Sequence, residues 1–450
     1  MSDAPPEINQ DDPKRRRRRG GRRRRESEFG DEPFRYTVTS VDDAGEVAAP
    51  RTGAAVHEIP PTRTSVDLDD ERMDPDAAKV VRRLSRHGYE AYLVGGCVRD
   101  MLLGKTPKDF DVATSARPER VRDIFRNSRI IGRRFKLVHV LFGAKVIETA
   151  TFRRNPSEAE SSEGDLLIRD DNEFGEAHED AERRDFTINA LFYDLQTKEV
   201  LDWSGGMEDI HRRSVRTLGE PTIRFKEDPV RMLRAIKFSA RLDLGIEPET
   251  YRAIVDCRGT LAMAARPRLF EEILRLLRGG AAHRSMWLCW ELGVLDILLP
   301  ELSSYLYDAG EDESRVWRLL DYVDDKTRED GGPPDDVFLL TLLLLEPLRE
   351  ACDGARDRAA AARDFLEPLV ERLSMPRRIV DAVRRIVAML PRLDSGKHGK
   401  LARTALFELA QDVLAASRTV SPDEVGLFGI VPSRRRKKRP RKKSTAEAGD

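Results

Sequence analysis

LVGGCVRDMLLGKTPKDFDVAT, residues 93–114, combines a glycine pair, an arginine and two alternating aspartates in one short segment. YEAYLVGG predicts a strand that runs into a turn, and VRDMLLG predicts a helix that begins there. Gly95 and Gly96 lack a Cβ, so their backbone can approach a triphosphate, and a helix N-terminus favours negative charge. Arg99 lies in the first turn of that helix, within reach of phosphate. This part of the segment therefore predicts a triphosphate-binding turn.

Asp109 and Asp111 form the second half of the segment and flank Phe110. Alternate residues of a strand point to the same face, so both carboxylates are expected on one side while Phe110 enters the core. Adjacent carboxylates repel each other unless a cation lies between them. Mg²⁺ prefers carboxylate and phosphate oxygens, and a two-metal site can activate a hydroxyl and stabilise departing pyrophosphate. The pair indicates phosphoryl-transfer chemistry, whereas a DxD pair alone is more often a solvated strand end.

The neighbouring segments indicate an α+β fold. AAKVVRRLSRHG, which ends at Gly88, has apolar residues at helical spacing. KLVHVLFG and KVIETATF are predicted strands, and EDAERRDFTINALFYD is predicted to be a helical run. After about Arg224 the apolar spacing is helical almost throughout. We therefore expect a mixed sheet domain followed by helical modules only.

The same patterns divide the chain into five regions. Both ends are rich in charged residues and poor in large apolar ones, so they cannot offset the entropy of ordering and are predicted to be disordered arms. Between them we expect the sheet domain and two helical modules, with the boundary between the modules near residues 305–335. The five regions are residues 1–75, 76–224, 225–304, 305–431 and 432–450.

Charge is segregated between the ends of the chain and its body. The 450 residues include 79 Lys and Arg against 80 Asp and Glu, a formal net charge of −1. Basic runs within residues 14–25 and 434–443 hold nineteen of the positive charges, so the remainder carries about −20. Flexible basic arms release counterions from a phosphate backbone. The arms therefore predict a nucleic-acid partner.

Cysteine usage and hydropathy exclude several classes of protein. The four cysteines are far apart and include no CxxC pair, so neither a disulfide framework nor a zinc site is indicated. No segment approaches the roughly 18 apolar residues that a membrane span needs, and the N-terminal region is charged where a signal peptide would be apolar. We expect a protein of a reducing cytoplasm without a membrane partner.

Four motifs in order resemble those of the class II nucleotidyltransferases, the family of bacterial poly(A) polymerases and tRNA CCA-adding enzymes. Besides residues 93–114 they are RRDFTINAL (183–191), DWSGGMEDIHRRSVR (202–216) and EDPVRMLRAIKFSARL (227–242). The resemblance implies that the sheet domain is a nucleotidyltransferase head, followed by a neck with a nucleotide-recognition motif and a body or RNA-binding module. It implies RNA 3′ ends and ATP as substrates and Mg²⁺ in a two-metal site. The sequence leaves open which protein partners, such as proteins of RNA decay, it has.

The resemblance also implies roles for the acidic residues of the head. Asp109 and Asp111 match the metal-binding pair, and Asp185 matches the third carboxylate of the polymerase site. Glu148, in the strand KVIETATF, is the alternative for that third position, and Asp185 is favoured.

Two further sets of residues are implied to bind the nucleotide. Asp228 and Arg231 belong to the motif EDxxR and would present an acceptor and a donor to the incoming base from one helix face. By spacing alone, Asp228 followed by Pro229 is an ordinary helix start. Arg184, next to Arg183, is predicted to contact the triphosphate.

The choice within the family depends on features outside these motifs. IIGRRFKLVHVLFG, with Arg133, Arg134 and Lys136, resembles the bacterial poly(A) polymerases, as does the basic tail. Arg133 and Arg134 are predicted to contact RNA, together with Arg434, Arg435, Arg436, Lys437 and Lys438 of the tail. We expect template-independent addition of AMP to RNA. The alternatives are a tRNA CCA- or A-adding enzyme and a non-catalytic RNA-binding factor with a decayed head.

Overall fold

The structure is a computed structural model that describes residues 60–68, 71–132, 136–154, 173–309, 314–396 and 399–420. These residues form ten strands and eighteen α-helices. The strands are β1 (Thr62–Ser65), β2 (Ala91–Val94), β3 (Asp111–Thr114), β4 (Ser128–Ile131), β5 (Leu137–Phe142), β6 (Lys145–Thr151), β7 (Leu191–Asp194), β8 (Glu199–Asp202), β9 (Ser214–Val215) and β10 (Gly245–Ile246). The helices of the first half are α1 (Pro75–Arg86), α2 (Gly96–Leu102), α3 (Pro118–Ile124), α4 (Ala177–Glu182), α5 (Gly206–His211), α6 (Pro221–Glu227), α7 (Val230–Leu242), α8 (Pro248–Cys257) and α9 (Arg266–Arg278). The later helices are α10 (Ala282–Glu291), α11 (Leu295–Leu298), α12 (Pro300–Ala309), α13 (Arg315–Glu329), α14 (Asp336–Leu343), α15 (Leu345–Ala351), α16 (Arg358–Leu373), α17 (Arg377–Asp394) and α18 (Phe407–Val420).

Eight of the strands form one mixed sheet, in the order β1-β8-β7-β2-β3-β6-β5-β4. Neighbouring strands are antiparallel except β3 and β6, which are parallel and place Asp111 opposite Glu148. Parallel neighbours need a crossover, and here the chain supplies it through α3, β4 and β5. The predicted mixed sheet followed by helices is confirmed.

Apolar side chains cover both faces of the sheet. On one face α1 contributes Val80, Val81 and Leu84 to the main core, all almost completely buried. On the other face Phe152 and Phe192 pack with residues of α4. Because apolar side chains cover both faces of the sheet, a binding site for a polar ligand is expected where the strands end.

The helices after the sheet continue the main core. Helix α7 packs against α9 and α10, α14 packs against α9 and α17, and α13 packs against α10 and α18. The buried apolar cluster runs without interruption from the head into these helices. Helix α9 thus packs against α7 of the neck and against the later helices α10, α14 and α16. Within the described residues no helix has the length and apolar character of a membrane span.

Two predicted boundaries differ from the structure. Strand β1 pairs with β8 and lies inside residues 1–75, which were expected to be a disordered arm, so folded structure begins before Asp76. Its sequence, TRTS, is too short and polar to show a periodic pattern. Near residues 305–335, α12 and α13 pack into the same core as their neighbours, and no break in packing separates two helical modules within the described part of the chain.

Two predicted elements were also wrong. Only the first four residues of the predicted helical run EDAERRDFTINALFYD (179–194) are α-helical, as the end of α4. After a single 3₁₀ turn the run becomes strand β7, buried between β2 and β8. A short apolar run reads alike as a buried helix segment or a buried strand. Strands also do not stop at Arg224, because β10 pairs with β9 as a two-residue ribbon in the neck.

Several predicted sites lie outside the described residues. They are most of the N-terminal arm, the segment with Arg133 and Arg134 that precedes β5, and the tail with Arg434, Arg435, Arg436, Lys437 and Lys438. Their predicted RNA contacts remain predictions.

Candidate active site

A cavity of about 790 Å³ lies where the edge of the sheet meets α7 and α9. It joins residues that are far apart in the sequence, from the glycine turn to the neck. Eight predicted residues line it: Gly95, Gly96, Arg99, Asp111, Arg184, Asp185, Asp228 and Arg231. Three of the four motifs, 93–114, 183–191 and 227–242, meet at this one cavity, which supports the prediction that they form one site.

Asp111 is the first residue of β3, and Asp109 lies in the loop just before it, so the expected strand does not include both aspartates. Phe110 is buried between them, as predicted. Burial raises the pKa of Asp111 to about 6, together with the negative charge of Glu148 and, to a smaller degree, that of Asp109; the charge of Arg184 opposes this rise. The positive charge near Asp111 therefore does not balance the negative charge at this edge of the sheet.

Glu148 is the partner of Asp111 across the parallel β3–β6 pair, so the two side chains leave the same face of the sheet. The side chain of Glu148 is half exposed, and its Oε1 lies 3.5 Å from Nε2 of His139. A third carboxylate thus stands beside the predicted metal-binding pair.

These carboxylates suit a divalent cation that also binds substrate. Among the described residues no three His, Cys, Asp or Glu side chains form a ready-made metal cluster. Mg²⁺ commonly takes only one or two protein carboxylates and completes its coordination with phosphate oxygens and water. The unbalanced charge around Asp111 is the condition that such a cation would relieve. The donor set therefore fits a metal that arrives with a nucleoside triphosphate.

Asp185 lines the cavity, but its carboxylate is already engaged. One oxygen accepts hydrogen bonds from Nε and Nη2 of Arg234 at 2.8 and 2.6 Å. The other accepts from Nδ2 of Asn189 and from the backbone N–H of Phe186, both at 2.9 Å. Burial alone would raise the pKa of Asp185, yet Arg234 and these hydrogen bonds outweigh it and lower the pKa. Asp185 is a paired carboxylate, unlike Asp111.

The glycine turn is held by arginines. Gly95 has φ +73°, which favours glycine, and a Cβ there would come 2.9 Å from Nη1 of Arg184. Arg184 pairs with Asp180 at 3.0 Å and donates to the carbonyl of Asn189. Arg99 is almost completely buried and donates to Asp100 and to the side chain of Asn189. Arg184 thus reaches the cavity above the turn, while Arg99 supports the turn from inside.

Asp228 and Arg231 lie at the opposite side of the cavity. Asp228 lies between α6 and α7, so it is not on the α7 face as predicted, and one of its oxygens accepts from Nη2 of Arg268 at 3.0 Å. Arg231 is buried in α7 and donates through Nη1 to Glu227 and to the carbonyl of Arg224. These contacts hold both side chains in place at the cavity wall.

Eight residues that line the cavity were not predicted from the sequence, and three of them hold predicted side chains in place. Arg234 is one turn beyond Arg231 in EDPVRMLRAIKF, and this spacing could have identified it. Asn189 bonds Arg99, Asp185 and Arg184, but nothing in its local sequence shows this. Arg268 comes from α9, and no local pattern connects it with Asp228.

The neck side of the cavity carries several cationic side chains, each paired with a carboxylate. Arg234, Lys237, Arg268 and Arg275 come close together on α7 and α9, with Glu272 between them. Burial and the charge of Arg234 lower the pKa of Lys237 to about 8, although Glu272 opposes this shift. These paired cations face the acidic sheet edge, and an anionic substrate between the two sides could draw hydrogen bonds from the arginines.

Profiles of known families and individual proteins match the chain. The profile "Poly A polymerase head domain" matches residues 91–216, and "Probable RNA and SrmB- binding site of polymerase A" matches residues 243–306. Poly(A) polymerase I of Escherichia coli O6:H1 is 36% identical over 461 aligned positions, covering 92% of this chain and 98% of that protein. The CCA-adding enzyme of Geobacillus stearothermophilus is 38% identical but covers only 51% of this chain and 55% of that protein.

A solved structure has a similar fold. The Bacillus stearothermophilus CCA-adding enzyme in complex with CTP superposes with a TM-score of 0.56 at 30% identity, covering 77% of this chain and 78% of that one. The fold and the family implied by the four motifs are thus confirmed. With a relative at 36% identity across nearly its whole length, the chain belongs to the family of bacterial poly(A) polymerases and tRNA CCA-adding enzymes, the class II nucleotidyltransferases.

Proposed function

We propose that this protein adds AMP from ATP to RNA 3′ ends without a template. The observation that carries the proposal is a single cavity joining an acidic sheet edge to the Asp228–Arg231 pair. Such a cavity can hold the triphosphate at one side and the base at the other. The nearly full-length similarity to poly(A) polymerase I favours polyadenylation, because the CCA-adding relative matches only about half of the chain.

In the proposed reaction the RNA 3′-hydroxyl attacks the α-phosphate of ATP. A new oxygen–phosphorus bond forms, the bond to the β-phosphate oxygen breaks, the hydroxyl proton passes to solvent, and pyrophosphate leaves. Divalent ions, when bound, supply charge neutralisation and a lowered pKa for the attacking hydroxyl. Asp109 and Asp111 would hold these ions. Gly95 and Gly96 admit the triphosphate to the helix N-terminus, where Arg184 faces its oxygens.

The third acidic position is proposed to be Glu148. It stands beside Asp111 and adds to the charge that a cation would neutralise, whereas both oxygens of Asp185 already accept hydrogen bonds. Asp185 would act indirectly. Its hydrogen bonds to Arg234 and Asn189 would fix the positions of the arginine on α7 and of the glycine turn. This proposal reverses the preference for Asp185 that the sequence resemblance suggested.

Base choice is proposed to depend on Asp228 and Arg231, which present an acceptor and donors at one wall. Replacing Asp228 by Ala should raise KM for ATP and reduce the preference for ATP over UTP by about tenfold. The carboxylate can accept from the amino group of adenine but not from the carbonyl of uracil, and one lost hydrogen bond to the base corresponds to about 1.4 kcal/mol. Initial rates with each triphosphate on one RNA would measure this.

Asp256→Ala is a matched control, because Asp256 is an exposed carboxylate on α8 away from the cavity. Unchanged discrimination in Asp228→Ala, with normal folding by circular dichroism, would remove Asp228 from the base-reading role.

The function itself is tested with two substrates in Mg²⁺. One reaction contains an unstructured RNA and ATP, and the other contains a tRNA lacking its CCA end with CTP and ATP. We expect long ATP-dependent tails on the unstructured RNA. Addition limited to three nucleotides on tRNA would instead establish the CCA-adding activity, and binding without any addition would support the decayed-head alternative.

A further inference from the structure

A second cavity, of about 870 Å³, opens in the helical body between the α15–α16 connection and α17. Its lining contains a single carboxylate, Asp357, which caps α16 by accepting from the backbone N–H groups of Ala359 and Ala360. The lining contains five arginines, here called the arginine cluster: Arg356, Arg358, Arg384, Arg385 and Arg392. With one acidic group committed to the helix, the cavity keeps a clear excess of positive charge.

Three of the five arginines lack a carboxylate partner among the described residues. Arg356, Arg385 and Arg392 are exposed, and none forms an ion pair with a carboxylate in the described part of the chain. Arg384 pairs with Asp381 at 3.0 Å, but its Nε is buried without a hydrogen-bond partner among the described residues. Five arginines around one cavity form a local concentration of positive charge in a body that carries about −20 outside its basic arms. The arginine cluster can therefore bind an anion from outside the protein.

The arginines of α17 follow a regular line. Arg378, Arg385 and Arg392 recur every seven residues and are all exposed, while the opposite face of the helix packs into the core. Seven residues advance an α-helix by about 10.5 Å and return to the same side. This line extends the cluster beyond the cavity and suits an elongated chain of phosphates better than a single small anion.

Helix α16 connects the cluster to the active site. Nη1 of Arg266, beside the cavity-lining Arg268, donates to the carbonyl of Glu371 near the end of α16 at 3.1 Å. From Glu371 back to Arg358 the helix spans roughly 20 Å at about 1.5 Å per residue. At about 3.4 Å per stacked nucleotide this is on the order of six nucleotides. An RNA with its 3′ end in the active site could therefore pass along α16 to the cluster.

We propose that the arginine cluster binds the sugar–phosphate backbone of the RNA substrate several nucleotides upstream of its 3′ end. The inference rests on the proposed function and adds a site for the body of the RNA chain. Binding of this kind is sequence-independent and releases counterions, at about 0.7 per phosphate contact on a single strand. It would hold the growing strand while its 3′ end moves between additions.

The test uses the full-length protein with Arg385→Gln and Arg392→Gln combined. For a fluorescein-labelled oligo(A) of 20 nucleotides, fluorescence anisotropy should show affinity reduced on the order of tenfold near 0.1 M salt. The slope of log affinity against log salt should decrease by about 1.4, corresponding to two contacts. For a 4-nucleotide oligo(A), which is too short to reach the cluster, the acceptor KM should not change.

Two matched variants separate charge from folding. Arg82→Gln combined with Arg86→Gln removes two exposed arginines of α1 that form no ion pair with any described residue, and binding of both RNAs should be unaffected. Arg385→Lys combined with Arg392→Lys keeps the charge and should retain most of the affinity for the long RNA.

An unchanged affinity and salt slope for the 20-nucleotide RNA would overturn the inference. The arginine cluster would then be expected to bind a partner of another class, such as an acidic protein. Equal losses on both RNA lengths would also overturn it, because the effect would then arise at the 3′ end or from misfolding. Failure of the proposed function looks different. The unmodified protein would add no nucleotide to either RNA, while the binding comparison could still be made.

Discussion

Asp111→Asn is expected to abolish nucleotide addition while the head remains folded. The substitution keeps the shape of the side chain but removes the charge at the start of β3 that is proposed to hold the cations. Loss of such a ligand should reduce kcat on the order of 10³-fold or more, about 4 kcal/mol of transition-state stabilisation. Asp109→Asn should have the same effect. The measurement is the single-turnover rate of AMP incorporation at saturating ATP and RNA.

Stability should behave differently from activity in this variant. Burial, together with the charges of Glu148 and Asp109, raises the pKa of Asp111, so replacing this carboxylate by a neutral group removes both a desolvation cost and a repulsion. We expect the Tm to stay constant or rise slightly, as is common when a site keeps charges together for function. RNA affinity measured without ATP should also be unchanged. An active Asp111→Asn protein would refute the proposed metal position, whereas a lowered Tm would point to a structural role.

Glu148→Gln and Asp185→Asn are expected to fail in different ways. Glu148 is half exposed beside Asp111, so Glu148→Gln should leave the free energy of unfolding unchanged, reduce kcat at least 10²-fold and raise the Mg²⁺ concentration needed for half-maximal rate. Asp185 is buried and paired with Arg234, so Asp185→Asn should cost about 2 kcal/mol of stability by leaving that cation without its partner. Denaturant unfolding and Mg²⁺ titrations of the rate measure the two effects.

The pH dependence of stability gives a second criterion. The folded-state pKa of Asp185 is below its ordinary value, so its carboxylate stabilises the fold above that value and loses this contribution as the pH falls through the folded pKa. The stability difference between the parent protein and Asp185→Asn should therefore shrink below about pH 4. If Asp185→Asn instead changed the Mg²⁺ requirement while Glu148→Gln did not, the third acidic position would belong to Asp185.

A double-mutant cycle separates pairing from direct chemistry. Arg234→Gln should destabilise less in the presence of Asp185→Asn than alone, because the partner charge is already missing. Additive effects on stability would mean that the ion pair contributes little and that Asp185 has another role. Glu148→Gln, which shares no hydrogen bond with Arg234 in the described structure, is the expected additive control.

Much of the head was predictable because its signals are local. A glycine pair after a strand, an arginine in the next turn and two aspartates around a buried Phe110 each reflect backbone geometry within a few residues. The structure brings this turn and Asp111 to one cavity, as expected. The same local logic failed at DFTINALFYD, since a short apolar run does not distinguish a buried strand from a buried helix.

The sequence alone determined the family, the order of the motifs and the glycine turn with its adjacent acids, because these depend on neighbouring residues. Only the tertiary structure decided which side chains meet. Glu148 reaches Asp111 through the parallel β3–β6 register, Asp185 is paired by Arg234 across 49 positions, and Asp228 by Arg268 across 40. The arginine cluster likewise exists only where α16 meets α17. Contacts between distant segments arise from the packing of the whole core, and no local periodicity encodes them.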